Sequence, residues 1–492
     1  MKKYILFLIL TFVLFNIAQG QIKLPALLNR NMVLQRNTEV NLWGESGPLS
    51  EVKISTSWNS RDYTVKANNQ GKWIIKVTTE DAGGPYIITF TDDKGSVVLD
   101  NVLLGEVWIC SGQSNMEMPM GGFMYQPVDN SLDHIIEANS YPDIRLFSVP
   151  PKSSEEPLFD CESEWLLPSP KSVSQFSSVG YFFGKTLSRV LNVPIGLIAS
   201  SWGGSNIETW MTVASIDEIE GIDHKVAKSG KSDNSIPQRL YNGMIVPLTN
   251  FTAKGFVWYQ GESNRKNWYD YKELQIALVK LWRKSWKSSD MPFYITQLAP
   301  YNYEGKDFRS LPLVIEAQYQ AAEMIPYSGI AATIDLGNPS CIHPPKKQEV
   351  GQRLAFLALE NDYEVEGFPS PAPTFKSFIR EGQKMVLSFN HVSEEYDWNN
   401  PNSFKGYTAN GYVKPAGFEI AGSDGIFYPA EGNYQWWKNT IEVWSDSIDN
   451  PVSVRYAFKN YCSEANVVTT MGQPLVPFRT DTLEVHDIGE LQ

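Results

Sequence analysis

Val102-Leu103-Leu104-Gly105-Glu106-Val107-Trp108-Ile109-Cys110-Ser111-Gly112-Gln113-Ser114-Asn115-Met116 is the stretch that decides how the chain is read. The apolar run over residues 102–110 has the length of a buried strand, and a Gly-x-Ser-x turn follows it directly. His343 lies near the far end of the same α/β-patterned region. A serine hydroxyl becomes a useful nucleophile when an imidazole can take its proton, so the pair points to hydrolytic chemistry. Gly and Ser are also ordinary turn formers, and one such turn alone carries little weight.

Three further segments have the same design. Ile195–Ser201 reads as a buried strand running into Trp202-Gly203-Gly204-Ser205-Asn206, and Gly255–Tyr259 as another running into Gln260-Gly261-Glu262-Ser263-Asn264. Residues 329–336 precede the loop that holds Cys341-Ile342-His343-Pro344. Between these strands, helical periodicity marks 181–191, 271–286, 314–324 and 350–359. Strand and helix in alternation predict a mainly parallel, flavodoxin-like sheet flanked by helices, in which ligands bind at the C-terminal strand ends. The irregular segments 120–133 and 148–174 are either binding lids or surface excursions.

Outside this α/β region the pattern changes. Residues 23–100 show short alternating strands separated by Asn, Gly and Asp turns, which predicts a small β-sandwich. Pro369-Ser370-Pro371-Ala372-Pro373 reads as a linker, and strand patterns return beyond it. Residues 1–20 carry Lys2 and Lys3, an apolar run and Ala18-Gln19-Gly20, the pattern of a cleaved export signal. The expected division is thus a signal peptide at 1–20, a β-sandwich region at 21–100, an α/β catalytic region at 101–365 and a β-rich, sandwich-like region at 366–492. The expected location is periplasmic or secreted, with no stable membrane insertion after cleavage.

Composition narrows the function. The 492 residues carry a net charge of −13, which becomes −15 once Lys2 and Lys3 are removed. Such a balance argues against nucleic acid, whose binding rests on basic residues neutralising phosphates. An acidic sugar would need a local binding site, since the global field repels it. The four cysteines, Cys110, Cys161, Cys341 and Cys462, show neither a dense disulfide framework nor a C-x-x-C pair, and no metal or other cofactor is expected. Cys110 and Cys341 fall near one another in the proposed fold, as separate thiols or a pair.

The residues resemble a family. Gly112 to Met116, the Trp202-Gly203-Gly204 loop, Trp258-Tyr259-Gln260-Gly261-Glu262-Ser263-Asn264 and Ile342-His343-Pro344 match, in order, the blocks of SGNH-type hydrolases of the sialate O-acetylesterase family. Met32-Val33-Leu34-Gln35-Arg36, Leu240-Tyr241-Asn242-Gly243-Met244 and Pro477-Phe478-Arg479-Thr480-Asp481 extend the similarity over nearly the whole mature chain. The resemblance implies a serine esterase acting on O-acetylated sialic acid, or on another acetylated glycan such as acetylxylan. It implies Ser114 as nucleophile, His343 as base, and an oxyanion hole from the Ser114 and Gly204 amides with the Gln260 side chain. Gln260 has a structural alternative, an amide that only holds its loop.

The orienting acid departs from the family pattern. Relatives usually carry Asp two or three residues before the histidine, where this chain has Cys341 and Ser340, and Asn338 stands slightly earlier. Three readings remain open: Asp335 or Glu262 substitutes, a backbone carbonyl orients His343 in a dyad, or the protein is a catalytically weak carbohydrate binder. The dyad is the expectation, with Glu262 ordering its loop. Fifteen tryptophans have flat faces suited to sugar stacking, yet most are expected in the core, and only Trp202, Trp210 and Trp258 lie near the proposed crevice.

Overall fold

Eighteen consecutive residues, Gly95–Gly112, form one strand in the computed structural model, which describes residues 22–393 and 402–485. The expected signal peptide at 1–20 lies outside the described residues. The first half of this strand pairs antiparallel with Gly83–Asp92 and parallel with Val33–Gln35. Its second half lies in a parallel sheet, flanked by Ile195–Ser201 and Gly255–Tyr259. One strand therefore runs through the division expected at residue 100, and one apolar core extends from Ile22 to Leu359.

The parallel order is Ser328–Ala331, Phe293–Thr296, Gly255–Tyr259, Gly95–Gly112, Ile195–Ser201 and Ile144–Ser148, with the short antiparallel Trp165–Leu166 at the edge. The chain places successive strands on both sides of Gly95–Gly112, so their C-terminal ends open a crevice there. Ile195–Ser201 and Gly255–Tyr259 are buried at every residue, as strands covered on both faces must be. Two helix pairs flank them, Ser178–Leu191 with Lys347–Tyr363 and Trp268–Trp286 with Ser310–Met324. Each begins three or four residues before the apolar periodicity does. The first turn is partly capped from outside: Ser177 accepts from the Gly180 N–H ahead of one helix, and Asn460 accepts from the Leu311 N–H in another.

The terminal regions differ in design. At the N-terminus, the ladder Glu39–Glu45 with Lys72–Thr78 packs on the sheet holding Glu51–Thr56, Arg61–Lys66 and Gly83–Asp92, with Trp73 against Phe90 at 5.8 Å. Beyond the proline-rich linker, seven strands form one antiparallel sheet with a core of its own, including Met385, Leu387, Ile441, Val443 and Tyr456. That sheet rests on the α/β region through the fork of Arg479 on Glu316 at 2.9 and 2.8 Å.

Helix Lys347–Tyr363 closes on Ser178–Leu191 at Gly351, where a Cβ would stand 2.6 Å from Phe182 Cβ and 2.8 Å from the Val179 carbonyl oxygen. Alanine normally gains about 1 kcal/mol over glycine inside a helix. Here the overpacking cost, about 1–3 kcal/mol, outweighs that gain. Gly351→Ala is expected to lower the urea midpoint, and a raised midpoint would contradict this packing.

Candidate active site

Gly112 ends the central strand at φ 139°, and a Cβ there would lie 2.1 Å from the Tyr259 carbonyl oxygen. Only glycine meets both demands. The chain can therefore turn hard against the neighbouring strand end, and Ser114 opens the single helical turn Ser114–Glu117. Gln113 fixes this turn: its N–H donates to Tyr259 O at 2.9 Å, and its Oε1 accepts from the Gly261 and Ser263 N–H groups at 3.2 and 3.3 Å.

His343 meets Ser114 across 229 residues of sequence, with Nε2 2.8 Å from Oγ. Its Nδ1 lies 2.6 Å from the side-chain oxygen of Gln126. An amide oxygen only accepts, so Nδ1 carries the hydrogen and Nε2 turns its lone pair to the serine hydroxyl. Phe123 packs edge-on against the imidazole at 5.2 Å, and the Cys341 thiol donates to the His343 carbonyl at 3.1 Å.

The orienting group thus differs from each expectation. It is neither Asp335, nor Glu262, nor a backbone carbonyl, but a neutral side-chain amide. Asp335 is held elsewhere, by the two arms of the Arg353 guanidinium at 2.7 Å each, because Arg353 also ties the Ala332 and Gly472 carbonyls together. Glu262 is buried and accepts from Asn115 Nδ2 at 2.5 Å.

Asn115 links the two halves of the site. Besides Glu262, its Nδ2 reaches the Ile342 carbonyl at 3.1 Å, and its Oδ1 accepts from the buried Lys347 ammonium at 2.5 Å. The residue after Ser114 is thereby tied to the residue before His343. Burial pushes Lys347 down to about 7, opposed by the charge of Glu262. Burial raises the Glu262 carboxyl, with its hydrogen bonds opposing. His343 is pushed down to about 4 by burial, with Lys347 adding repulsion.

The Gly203–Gly204 loop packs against Ser114. The Gly203 Cα faces Ser114, since a Cβ there would lie 3.3 Å from Ser114 Cβ. Its N–H donates to Glu117 Oε2 at 2.5 Å, and burial raises that carboxyl while the hydrogen bond opposes the rise. The Ser114 and Gly204 N–H groups have no acceptor among the described residues. Gln260 does not join them. It is 0% exposed, donates both amide hydrogens to Ser205 O and Asn264 Oδ1 at 3.0 and 2.8 Å, and accepts from Tyr271 at 2.8 Å. Its amide holds the loop.

Two of the three candidate tryptophans are likewise removed from substrate: Trp210 and Trp258 are fully buried, and only Trp202 is partly exposed. All four cysteines are free thiols. Among the described residues no three His, Cys, Asp or Glu side chains gather as metal ligands. Gln126, Phe123, Glu117 and Lys347 were missed by sequence reasoning. The one signal for Gln126 was its place in the irregular segment 120–133.

The model of the sialic acid-specific acetylesterases, a carbohydrate esterase family, matches residues 104–360, which include every residue of this site. The chain belongs to that family. It is a carboxylic ester hydrolase. Human sialate O-acetylesterase is 30% identical over 366 residues, covering 66% of this chain and 68% of the human one. The rat sialate O-acetylesterase is 26% identical over 428 residues, covering 74% and 78%. A carbohydrate acetylesterase of Xanthomonas citri superimposes with a TM-score of 0.83 at 34% identity, covering 94% of this chain and 100% of that one.

The neutral partner and the burial of His343 have a measurable consequence. In an NMR titration the ring is expected to stay neutral well below the ordinary histidine range, protonating near pH 4. Gln126→Glu sets a carboxylate beside Nδ1, which favours the imidazolium and moves the midpoint up. Titration near 6.5 in the parent, with no rise in the variant, would contradict the site as described.

Proposed function

We propose that this esterase is exported and removes O-acetyl groups from carbohydrates, with O-acetylated sialic acid or another acetylated glycan as substrate. The Ser114–His343–Gln126 chain of hydrogen bonds carries the reading. Ser114 Oγ attacks the acetyl carbonyl while His343 Nε2 takes its proton. The tetrahedral oxyanion rests on the Ser114 and Gly204 N–H groups, two donors of the kind whose loss costs about 10² to 10³ in rate. His343 returns the proton to the departing sugar oxygen, leaving acetyl-Ser114. Water then gives its proton to Nε2, attacks the acetyl group and releases acetate, and the proton returns to Ser114.

Gln126 weakens the rival reading of an inactive carbohydrate binder, whose support was the missing carboxylate. An amide keeps the productive tautomer without supplying negative charge. The low basicity of His343 favours the neutral base over a wide pH range. Glu117 keeps the Gly203–Gly204 turn against Ser114 and so aims the Gly204 N–H. Sialic acid is the substrate suggested by the human and rat relatives, whereas the Xanthomonas citri acetylesterase, similar over nearly the whole chain, suggests a broader acetylated glycan. The Lys2-Lys3 and Ala18-Gln19-Gly20 pattern supports export, and no helix among the described residues is long and apolar enough to cross a membrane.

Ser114→Ala is expected to lower acetate release by at least about 10³ with an unchanged circular dichroism spectrum, because the hydroxyl contributes chemistry rather than packing. Acetate should be measured from O-acetylated sialic acids and from acetylated xylan. A folded Ser114→Ala protein within about tenfold of the parent on either would overturn the assignment.

A further inference from the structure

Phe123 and Gln126, which pack against and hydrogen-bond the His343 ring, close a two-residue turn. Each N–H donates to the other's carbonyl at 3.0 Å, and Met124 and Tyr125 form the tip. That tip is 80% exposed at Met124 and 97% exposed at Tyr125. Tyr125 holds φ 60°, a left-handed conformation that glycine or asparagine adopts with far less steric penalty than a bulky aromatic residue.

The turn is also firmly seated. Gly122 N–H donates to Pro119 O at 2.8 Å, Met120 and Gly121 bond the Phe176 and Ser174 carbonyls at 2.9 and 2.8 Å, and Asp129 N–H reaches Pro345 O at 3.0 Å. A large ring is thus presented to solvent from a fixed base. It stands on the residue next to Gln126, one Cα step of about 3.8 Å from the side chain that orients His343. With Trp210 and Trp258 buried, Trp202 is the one tryptophan of the three with exposed surface, and Tyr125 adds a second and far more exposed ring.

We propose that the Tyr125 ring, with Met124 beside it, is the platform for the sugar ring that bears the acetyl ester. The inference rests on the carbohydrate acetylesterase reading. A pyranose has a C–H-lined face that packs on the flat apolar face of an aromatic ring, and the backbone of the turn that carries this ring is already held by its hydrogen bonds, so ordering it costs little on binding. Seated on Tyr125, the sugar lies beside the dyad while its ester carbonyl reaches Ser114. An aryl acetate presents the same ester without the pyranose, so it separates recognition of the sugar from the chemistry.

The test compares Tyr125→Asn, which removes the ring and suits the backbone, with Tyr125→Phe, which keeps the ring. Acetylated xylo-oligosaccharides, O-acetylated sialic acid and p-nitrophenyl acetate are the probes. Tyr125→Asn is expected to lose about tenfold or more in kcat/KM on the carbohydrate that the parent hydrolyses, mostly through KM, as loss of one stacking contact implies. Its loss on the aryl acetate should stay within about threefold, a far smaller free-energy change, and Tyr125→Phe should hold near-parental values on both. Equal losses on both substrate classes, or no loss on the carbohydrate, overturn the platform alone. A parent that cleaves the aryl acetate but neither carbohydrate overturns the platform together with the carbohydrate reading. Tyr125→Gly makes the same comparison if the Asn variant does not fold.

Discussion

The hydrogen bond from His343 Nδ1 to the Gln126 side-chain oxygen, 2.6 Å long, is the constraint on which the account of this site depends. It decides which ring nitrogen is bare, and the bare nitrogen faces Ser114. In a triad with aspartate, the carboxylate both selects this tautomer and stabilises the imidazolium. Gln126 does the first without a charge for the second. The buried, positively repelled environment of His343 acts in the same direction, keeping the ring neutral and ready to accept a proton.

Such an arrangement needs rigid support, because an amide without charge relies on geometry. The support comes from paired ties between elements far apart in sequence. Gln113 fastens the nucleophile turn to the end of Gly255–Tyr259, and Asn115 fastens it to the histidine loop. Buried Lys347 and Glu262 hold the Asn115 amide from its two ends. Burying two opposite charges is costly unless each is hydrogen-bonded, so such a pair is a poor source of stability but a firm fixture for the side chain between them.

The residues legible from sequence were those whose role is set locally. Ser114 follows a buried strand and a glycine that must turn, and the strand and turn announce it together. His343 sits in an exit loop of the same kind. Gln126 lies 217 residues from His343 in a segment without periodicity, so only the closed fold brings it to the ring. Gln260 shows the converse failure: the motif identifies the amide, but its direction depends on Ser205, Asn264 and Tyr271, which no spacing reveals. The parallel sheet and its flanking helices followed from alternating patterns, whereas the strand order and the helix pairs depend on contacts that only the closed fold makes. The expected break near residue 100 followed a change of pattern that the backbone ignores, since one strand serves both regions.

Gln126, and not Asp335, is the side chain that orients His343. Turnover of Gln126→Ala and Asp335→Asn on one acetyl ester tests it most directly, with folding checked by thermal melting. The account predicts a fall of about 10² or more for Gln126→Ala, below the roughly 10⁴ seen when a triad carboxylate is neutralised, and a change within about threefold for Asp335→Asn. Near-parental turnover in Gln126→Ala, with collapse in a folded Asp335→Asn protein, would contradict it.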